Sequence, residues 1–539
     1  MKKGVTSVIA LLVTIAPVLM AIIVTATGTT TVATFWALVP PIIAIALALI
    51  TKEVYSSLFL GIVVGSIFAC NGSATTAVDH VVSDGLIAAI SDTAGIFLFL
   101  VILGVIVALI NKAGGSAAFG RWAQTHIKTR IGAQLATFAL GILIFIDDYF
   151  NCLTVGSVML PVTDSHKISR AKLSYLIDAT AAPICMIAPI SSWAAAVANY
   201  TEGTGMDGID LFIKAIPYNF YSLLTFVFII ALVLSKRDFG PMAKHEKNAL
   251  EKGDLFSTEE RVDGMTVESN PKGRVPDLLL PILVLIAISV YALIYNGGFF
   301  GDDPAYAGMF KEAFSNTDAT VGLPWGAVIA LILIVVYLIC RKLITFKDAM
   351  ECVPKGFIAM VPAITILTMA TALKNISNDL LGSATYVEGL MKGAAPGLES
   401  LLPAVIFLVA CLLAFATGTS WGTFGILIPI VCNMFDPSNP IFYIGMSACL
   451  AGAVCGDHCS PISDTTIMSS AGARCAHVNH VSTQLPYAIT VAAISFICFL
   501  VAGFVQNAVI CLAIGAALVV GFFVILSLIK EPLEGTDKN

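Results

Sequence analysis

The chain has 539 residues, of which 58% are hydrophobic and only 12% charged, with a mean hydropathy of +0.92 and a formal net charge of −6. Because soluble domains carry about a quarter charged residues, this composition excludes a soluble enzyme and a nucleic-acid-binding protein and predicts an all-α polytopic membrane protein. The net charge decides little, since the distribution of Lys and Arg among the loops sets the orientation in the membrane.

About twelve apolar segments are long enough to cross the hydrocarbon as full helical spans. They lie near residues 5–27, 33–51, 54–70, 94–111, 172–199, 217–235, 276–296, 323–340, 356–374, 441–472, 485–505 and 507–529. The first follows Lys2 and Lys3 and is too long for the apolar region of a signal peptide, so we predict an uncleaved first span.

Two further apolar segments, 131–164 and 400–433, are too long to cross the membrane once and too short to cross it comfortably twice. Polar residues interrupt each segment near its midpoint. We therefore predict two re-entrant helical hairpins, which membrane proteins tolerate where the tip is buried in protein or lines water.

Basic residues flank the first hairpin on both sides, which places both of its ends in the cytoplasm under the positive-inside rule. These residues are Arg121, Lys128, Arg130, Lys167, Arg170 and Lys172. Alternating the spans then places the second hairpin's ends outside and both chain termini inside. The predicted location is the inner membrane of a bacterium.

Four short motifs recur in the same order in two halves of the chain, which predicts an internal repeat. The matched segments are 77–80 with 346–349, 108–112 with 372–375, 158–162 with 427–430, and 188–192 with 460–464. Because each half holds an odd number of full spans, the halves must have opposite topology, as in many secondary transporters.

This repeat divides the chain into five predicted parts. They are an N-terminal span at 1–30, a first inverted repeat at 31–235, a charged cytoplasmic loop at 236–275, a second inverted repeat at 276–505, and a C-terminal span and tail at 506–539. Each repeat contains one hairpin and one helix broken by proline, at 172–199 in the first half and at 441–472 in the second.

Polar residues concentrate at the hairpin tips and helix breaks, where ionisable groups at membrane depth indicate a functional site. The candidate ion- and substrate-binding residues are Asp147, Asp148, Asn151, Asp178, Ser191, Ser192, Thr419, Ser420, Thr423, Asp457, His458, Ser460, Ser463, Asp464 and Thr465. Sodium prefers hard oxygen ligands. The candidate Na+ ligands are therefore Asp147, Asn151, Thr419, Ser420, Ser463 and Asp464.

Buried, crowded carboxylates favour their protonated form, so such a site exchanges a proton for a metal ion near neutral pH. The proton carrier stays open among the five aspartates. Asp148, Asp178 and His458 also fit purely structural hydrogen-bonding roles, and Trp193 and Trp421 fit packing better than gating. Zinc at Cys455 and Cys459 is disfavoured, because one helix cannot complete a tetrahedral ligand set. No cofactor is predicted; Na+ and H+ are the transported ions.

The motif Gly456–Thr466, together with Ile146–Tyr149 and Thr417–Gly422, resembles the NhaC-type Na+/H+ antiporter family within the ion transporter superfamily. The resemblance implies a scaffold and a transport domain, paired hairpins, a homodimer and elevator-like movement. Members that resemble this chain include Na+/H+ exchangers, malate/lactate exchangers and amino-acid carriers, so the resemblance defines coupling better than cargo.

Na+/H+ antiport is the first functional hypothesis, because the acid-rich site shows no obvious cationic anchor for an organic carboxylate. The alternative is a Na+- or H+-coupled transporter of a small organic solute, an amino acid or a carboxylate such as malate or lactate, held by the hairpin tips. A channel would need a continuous pore, and an intramembrane enzyme would need a nucleophile that His458 and Asp457 lack. The expected partners are the lipid bilayer, Na+, H+ and a small solute.

Overall fold

The computed structural model describes residues 15–51, 54–145, 148–189, 191, 193–194, 197, 208–257, 270–383, 385–386, 389, 399–435 and 438–533. Across these residues the chain is helical, with no strand. Among the described residues, six helices are long and apolar enough to cross a membrane, or seven if one bent pair counts as a single span. The all-α polytopic membrane class is therefore confirmed, whereas the twelve-span count is not.

The described helices follow the chain in a simple order. They are α1 (Ile15–Ala26), α2 (Val39–Thr51), α3 (Val54–Ala69), α4 (Ala74–Asp79), α5 (Ala88–Ala113), α6 (Gly115–His126), α7 (Arg130–Leu143), α8 (Asp148–Ser165), α9 (Arg170–Cys185), α10 (Gly208–Ala215), α11 (Phe220–Ser235), α12 (Gly240–Lys252), α13 (Pro276–Asn296), α14 (Phe310–Ser315), α15 (Ala319–Cys340), α16 (Phe346–Asn375), α17 (Leu402–Thr417), α18 (Ser420–Met434), α19 (Pro440–Cys459), α20 (Asp464–Ala473), α21 (His477–Val505) and α22 (Ala508–Ile529).

Helix breaks occur where polar residues interrupt the apolar runs. The first predicted hairpin consists of α7 and α8, and the second consists of α17 and α18, separated only by Gly418 and Thr419. The Pro461 break separates α19 from α20. Hydroxyl side chains cap the N-termini of the helices that follow two of these breaks. Thr419 accepts from the Gly422 amide at 3.3 Å, and Ser463 accepts from the Thr466 amide at 3.3 Å.

Glycines allow three pairs of helices to approach backbone to backbone, as small residues do in membrane interiors. A Cβ on Gly104 of α5 would lie 2.6 Å from the Gly356 carbonyl of α16. A Cβ on Gly456 of α19 would lie 2.1 Å from the Cys411 carbonyl of α17, and one on Gly472 of α20 would lie 2.3 Å from the Cys152 carbonyl of α8. The hairpins are thus pressed against the broken helices.

The described part of the charged segment, residues 236–257 and 270–275, contains α12. Glu246 of α12 is fully buried, pairs with Arg130 and accepts from the Ser169 amide at 2.9 Å. Just before α12, Asp238 pairs with buried Lys172 and accepts from the Tyr487 hydroxyl at 2.5 Å. These contacts join α12 and the residues just before it to the beginnings of α7 and α9 and to the side of α21.

Candidate functional site

Each hairpin tip contacts the broken helix of the other half of the chain. At the start of α8, the Tyr149 hydroxyl donates to Asp464 Oδ2 at 2.5 Å, across 315 residues of sequence. At the start of α18, the Trp421 ring meets the Trp193 ring edge to face, with centroids 6.1 Å apart. The four interrupted regions therefore form one contiguous structure inside the protein.

The second tip is locked onto the Pro461 break. Gly418 has a left-handed φ of +66°, and a Cβ there would lie 2.7 Å from the Ile462 carbonyl oxygen, so only glycine fits. The Ser460 hydroxyl donates to the Phe415 carbonyl at 2.9 Å on the other side of the tip. The unwound residues between α19 and α20 are held by α17 on one side and by Gly418 on the other.

Two carboxylates flank this break. Asp457 in the last turn of α19 is buried and accepts from the Ser420 hydroxyl at 2.8 Å, while its Oδ1 has no hydrogen-bond partner among the described residues. Asp464 is the first residue of α20, where the helix dipole favours an anion, and it accepts from the Thr465 amide at 2.8 Å. The two carboxylates thus stand on either side of the unwound residues Ser460–Ser463.

Hydroxyl-bearing residues lie beside the two carboxylates: Ser420 donates to Asp457, and Ser463 and Thr465 adjoin Asp464 in the chain. The Ser463 and Thr465 hydroxyls lie 3.1 Å apart, and the Thr423 hydroxyl donates to the Thr419 carbonyl at 2.9 Å. The second half therefore offers a compact set of oxygen atoms of the kind that a hard cation prefers.

The predicted residues of the first half have mainly structural contacts. Asn151 donates through Nδ2 to the carbonyls of Gly141 and Ile144, at 2.7 and 2.8 Å, and so caps the end of α7. The Ser191 hydroxyl donates to the Cys185 carbonyl at 2.7 Å and caps the end of α9 in the same way. Asp148 is buried at the start of α8. Asp147 and Ser192 lie outside the described residues.

Asp178 and His458 lie in a second buried polar cluster with three partners that sequence reasoning missed. Asp178 accepts from Gln484 Nε2 at 2.6 Å, lies 3.1 Å from His480 Nε2, and lies 3.7 Å from His458 Nε2. The other ring nitrogen of His458 is 3.0 Å from the Tyr221 hydroxyl. The spacing of His480 and Gln484 on one face of α21 is the signal that could have found them.

A cavity of about 300 Å³ opens beside the Asp464 end of the break. Tyr149, Thr419 and Asp464 line it together with Trp421 of the second tip. Asp92 of α5 and Lys374 of α16 also line it, and neither belongs to the predicted site. Lys374, at the end of α16, is therefore a cationic residue in the cavity lining that the sequence did not make obvious.

Comparison with known proteins assigns the family. Residues 184–504, more than half of the chain, match the sequence profile of the Na+/H+ antiporter family. The chain belongs to the Na+/H+ antiporter family. This confirms the family resemblance that the motifs around Asp464 indicate. The chain is accordingly a multi-pass membrane protein and a secondary transporter of the antiporter type, and not a member of an enzyme family.

Relatives of this antiporter cover the chain to different extents. An uncharacterized protein of Haemophilus influenzae is 38% identical over 511 residues, 92% of this chain and 95% of the relative. The malate-2H(+)/Na(+)-lactate antiporter of Bacillus subtilis is 27% identical over 243 residues, 43% of this chain and 45% of that protein. The arginine/ornithine antiporter ArcD of Halobacterium salinarum is 35% identical over 111 residues, 20% of this chain and 23% of that protein.

Proposed function

We propose that this antiporter exchanges Na+ for protons at the break between α19 and α20, in a bacterial inner membrane with both termini in the cytoplasm. The observation that carries the proposal is the pair Asp457 and Asp464, which flank unwound backbone and are contacted by the tips of both hairpins. The family assignment supports antiport in general, and the oxygen-rich break supports Na+ as one of the exchanged ions.

Competition between Na+ and protons follows from the crowding of these two acids. When both carboxylates are ionised, they repel each other. Binding of either a proton or a cation therefore stabilises the site. A cation bound between Asp464 and the surrounding hydroxyls removes the need for the proton. A site that holds one or the other, but not both, couples the two fluxes.

Alternating access is proposed to use the two halves as inverted repeats, with elevator-like movement in a homodimer. Support comes from α5 and α16, which carry the echoed segments 108–112 and 372–375 and cross at Gly104 and Gly356. The reciprocal contacts of Tyr149 with Asp464 and of Trp421 with Trp193 fit the same symmetry.

Proteoliposomes containing the purified chain test this function. We expect added Na+ to collapse an imposed pH gradient, and we expect Asp464→Asn and Asp457→Asn to abolish the response. Asp210→Asn is the matched control, because Asp210 is half exposed and forms an ion pair with Lys214 one turn away on the same helix. A wild-type protein that gives no Na+-dependent collapse, or acid variants that exchange normally, would refute the proposal.

A small organic solute is the second candidate cargo, and Lys374 is the observation that favours it. Two relatives are named as antiporters of organic solutes, malate and lactate in one case and arginine and ornithine in the other. Such a cargo would use the same break for ion coupling.

A further inference from the structure

Lys374 occupies an unusual position for a lysine. It lies in the last turn of α16, is partly buried, and lines the 300 Å³ cavity beside Asp464. Within the part of the chain that the structure describes, its ammonium group has no ion pair or hydrogen bond. Its side chain runs beside the second tip, with Cδ 3.8 Å from where a Cβ on Gly422 would stand.

In the matched segment of the first half, Ile110 aligns with Lys374, and the lysine two positions later, Lys112, is paired. Lys112, in the echoed segment of α5, lies 3.5 Å from Asp348 at the start of α16. At the Lys374 end of the same helix pair, Asp92 Oδ2 accepts from the side-chain Nδ2 of Asn375 at 2.9 Å. In the pair α5 and α16, Lys112 therefore has an ion-pair partner, whereas Lys374 lines the cavity. A partly buried ammonium group without a partner is costly, so a bound anion would stabilise it.

The cavity also presents negative charge. Asp464 and Asp92 line it with Lys374, so that groups of both signs line one cavity. A bare cation in this cavity would be attracted by the two carboxylates but repelled by Lys374. A solute that carries a carboxylate and a cationic group satisfies all three side chains at once.

Size and lining restrict this solute further. A volume of about 300 Å³ is at the lower end of ligand pockets, which favours a molecule of few heavy atoms. Ile96, Phe99, Leu323 and Leu367 supply an apolar wall, and Thr93 and Thr371 supply hydroxyls. This combination suits a compact polar backbone with a short side chain.

We propose that the cavity is a binding site for a small amino acid. Lys374 pairs with the carboxylate of the bound amino acid. The ammonium group of the amino acid faces Asp464 and Asp92. The inference rests on the proposed function, because it takes Asp464 as the point where ion coupling and solute binding meet. Lys374 is therefore a specificity-determining residue that selects a carboxylate-bearing solute.

The test uses the purified full-length chain in proteoliposomes, with each of the twenty labelled amino acids, and with lactate and malate as probes that lack an amino group. Uptake is followed with and without a Na+ gradient, and Na+-driven proton movement is recorded in the same vesicles. The variants are Lys374→Ala and Lys374→Arg. Lys347→Ala is the control, because Lys347 is exposed in the first turn of the same helix and does not line the cavity.

We expect at least one amino acid to be taken up, with its half-saturating concentration raised about tenfold or more by Lys374→Ala, partly restored in Lys374→Arg, and unchanged in Lys347→Ala. Thermal unfolding of each purified variant checks that it folds. If Lys374→Ala does not fold, competition in the wild type decides instead: the amino-acid amide, which lacks the carboxylate, must fail to inhibit uptake.

Three results would overturn the inference while leaving the proposed function intact: Na+/H+ exchange without uptake of any amino acid, uptake that Lys374→Ala leaves unchanged, or lactate or malate being taken up in preference to every amino acid. Uptake that needs Lys374 but neither Na+ nor protons would support the amino-acid site and refute ion coupling at Asp464. The two proposals therefore fail separately.

Discussion

Replacing Gly472 with alanine separates the first hairpin from the second broken helix without touching a charged group. The new Cβ would stand 2.3 Å from the Cys152 carbonyl of α8, where ordinary contacts begin at 3.4 Å, so α8 and α20 must move apart by about 1 Å. Overpacking of this kind costs about 1–3 kcal/mol of folding free energy.

The same displacement acts on the site. Tyr149, three residues before Cys152, donates to Asp464 at 2.5 Å, and a shift of about 1 Å stretches this contact to the limit of a hydrogen bond. We therefore expect Gly472→Ala to lower both the unfolding temperature of the purified protein and its rate of Na+-dependent proton movement. Gly521→Ala is the control, because a Cβ on Gly521 meets nothing within 4 Å. Unchanged unfolding and exchange in Gly472→Ala would refute the packing argument.

Three other predictions concern buried polar contacts. Asn151→Ala should lower the free energy of unfolding, measured with a chemical denaturant, by about 1–3 kcal/mol, because it leaves the Gly141 and Ile144 carbonyls without their hydrogen-bond donor. An unfolding curve identical to that of the wild type would show that this cap is unimportant. Lys172→Met should lower the free energy of unfolding by about 3–5 kcal/mol, because buried Asp238 loses its cationic partner; the control Lys214→Met, at an exposed pair, should change little, and equal effects would contradict this. Gln484→Leu should lower the unfolding temperature by removing the 2.6 Å contact to Asp178, and an unchanged temperature would mean that this contact is dispensable.

The positions of the helix breaks were predictable from sequence because they depend on local chemistry. Pro461 cannot continue a helix, and Gly418 supplies the left-handed turn between α17 and α18. The polar residues at both breaks interrupt otherwise apolar runs. Local signals of this kind identified Asp457 and Asp464 as residues beside unwound backbone.

The partners of these residues could not be predicted, because they lie hundreds of residues away. Nothing in the sequence near Asp464 indicates Tyr149, and nothing near Asp178 indicates Gln484. Lys374 was passed over for a related reason. It stands at the end of the predicted span 356–374, where a lysine ordinarily reaches the membrane surface, and only the packing of α5 and α18 beside α16 turns that end into a cavity wall.

Proton release on Na+ binding tests the central claim most directly. The purified protein is placed in weakly buffered detergent solution near neutral pH with a pH-sensitive dye, and NaCl is added, with choline chloride as the ionic-strength control. Competition at Asp457 and Asp464 predicts that Na+ releases protons from the wild type and that choline does not, with the release lost in Asp464→Asn. Saturable Na+ binding without proton release, or equal release from Asp464→Asn, would contradict the account.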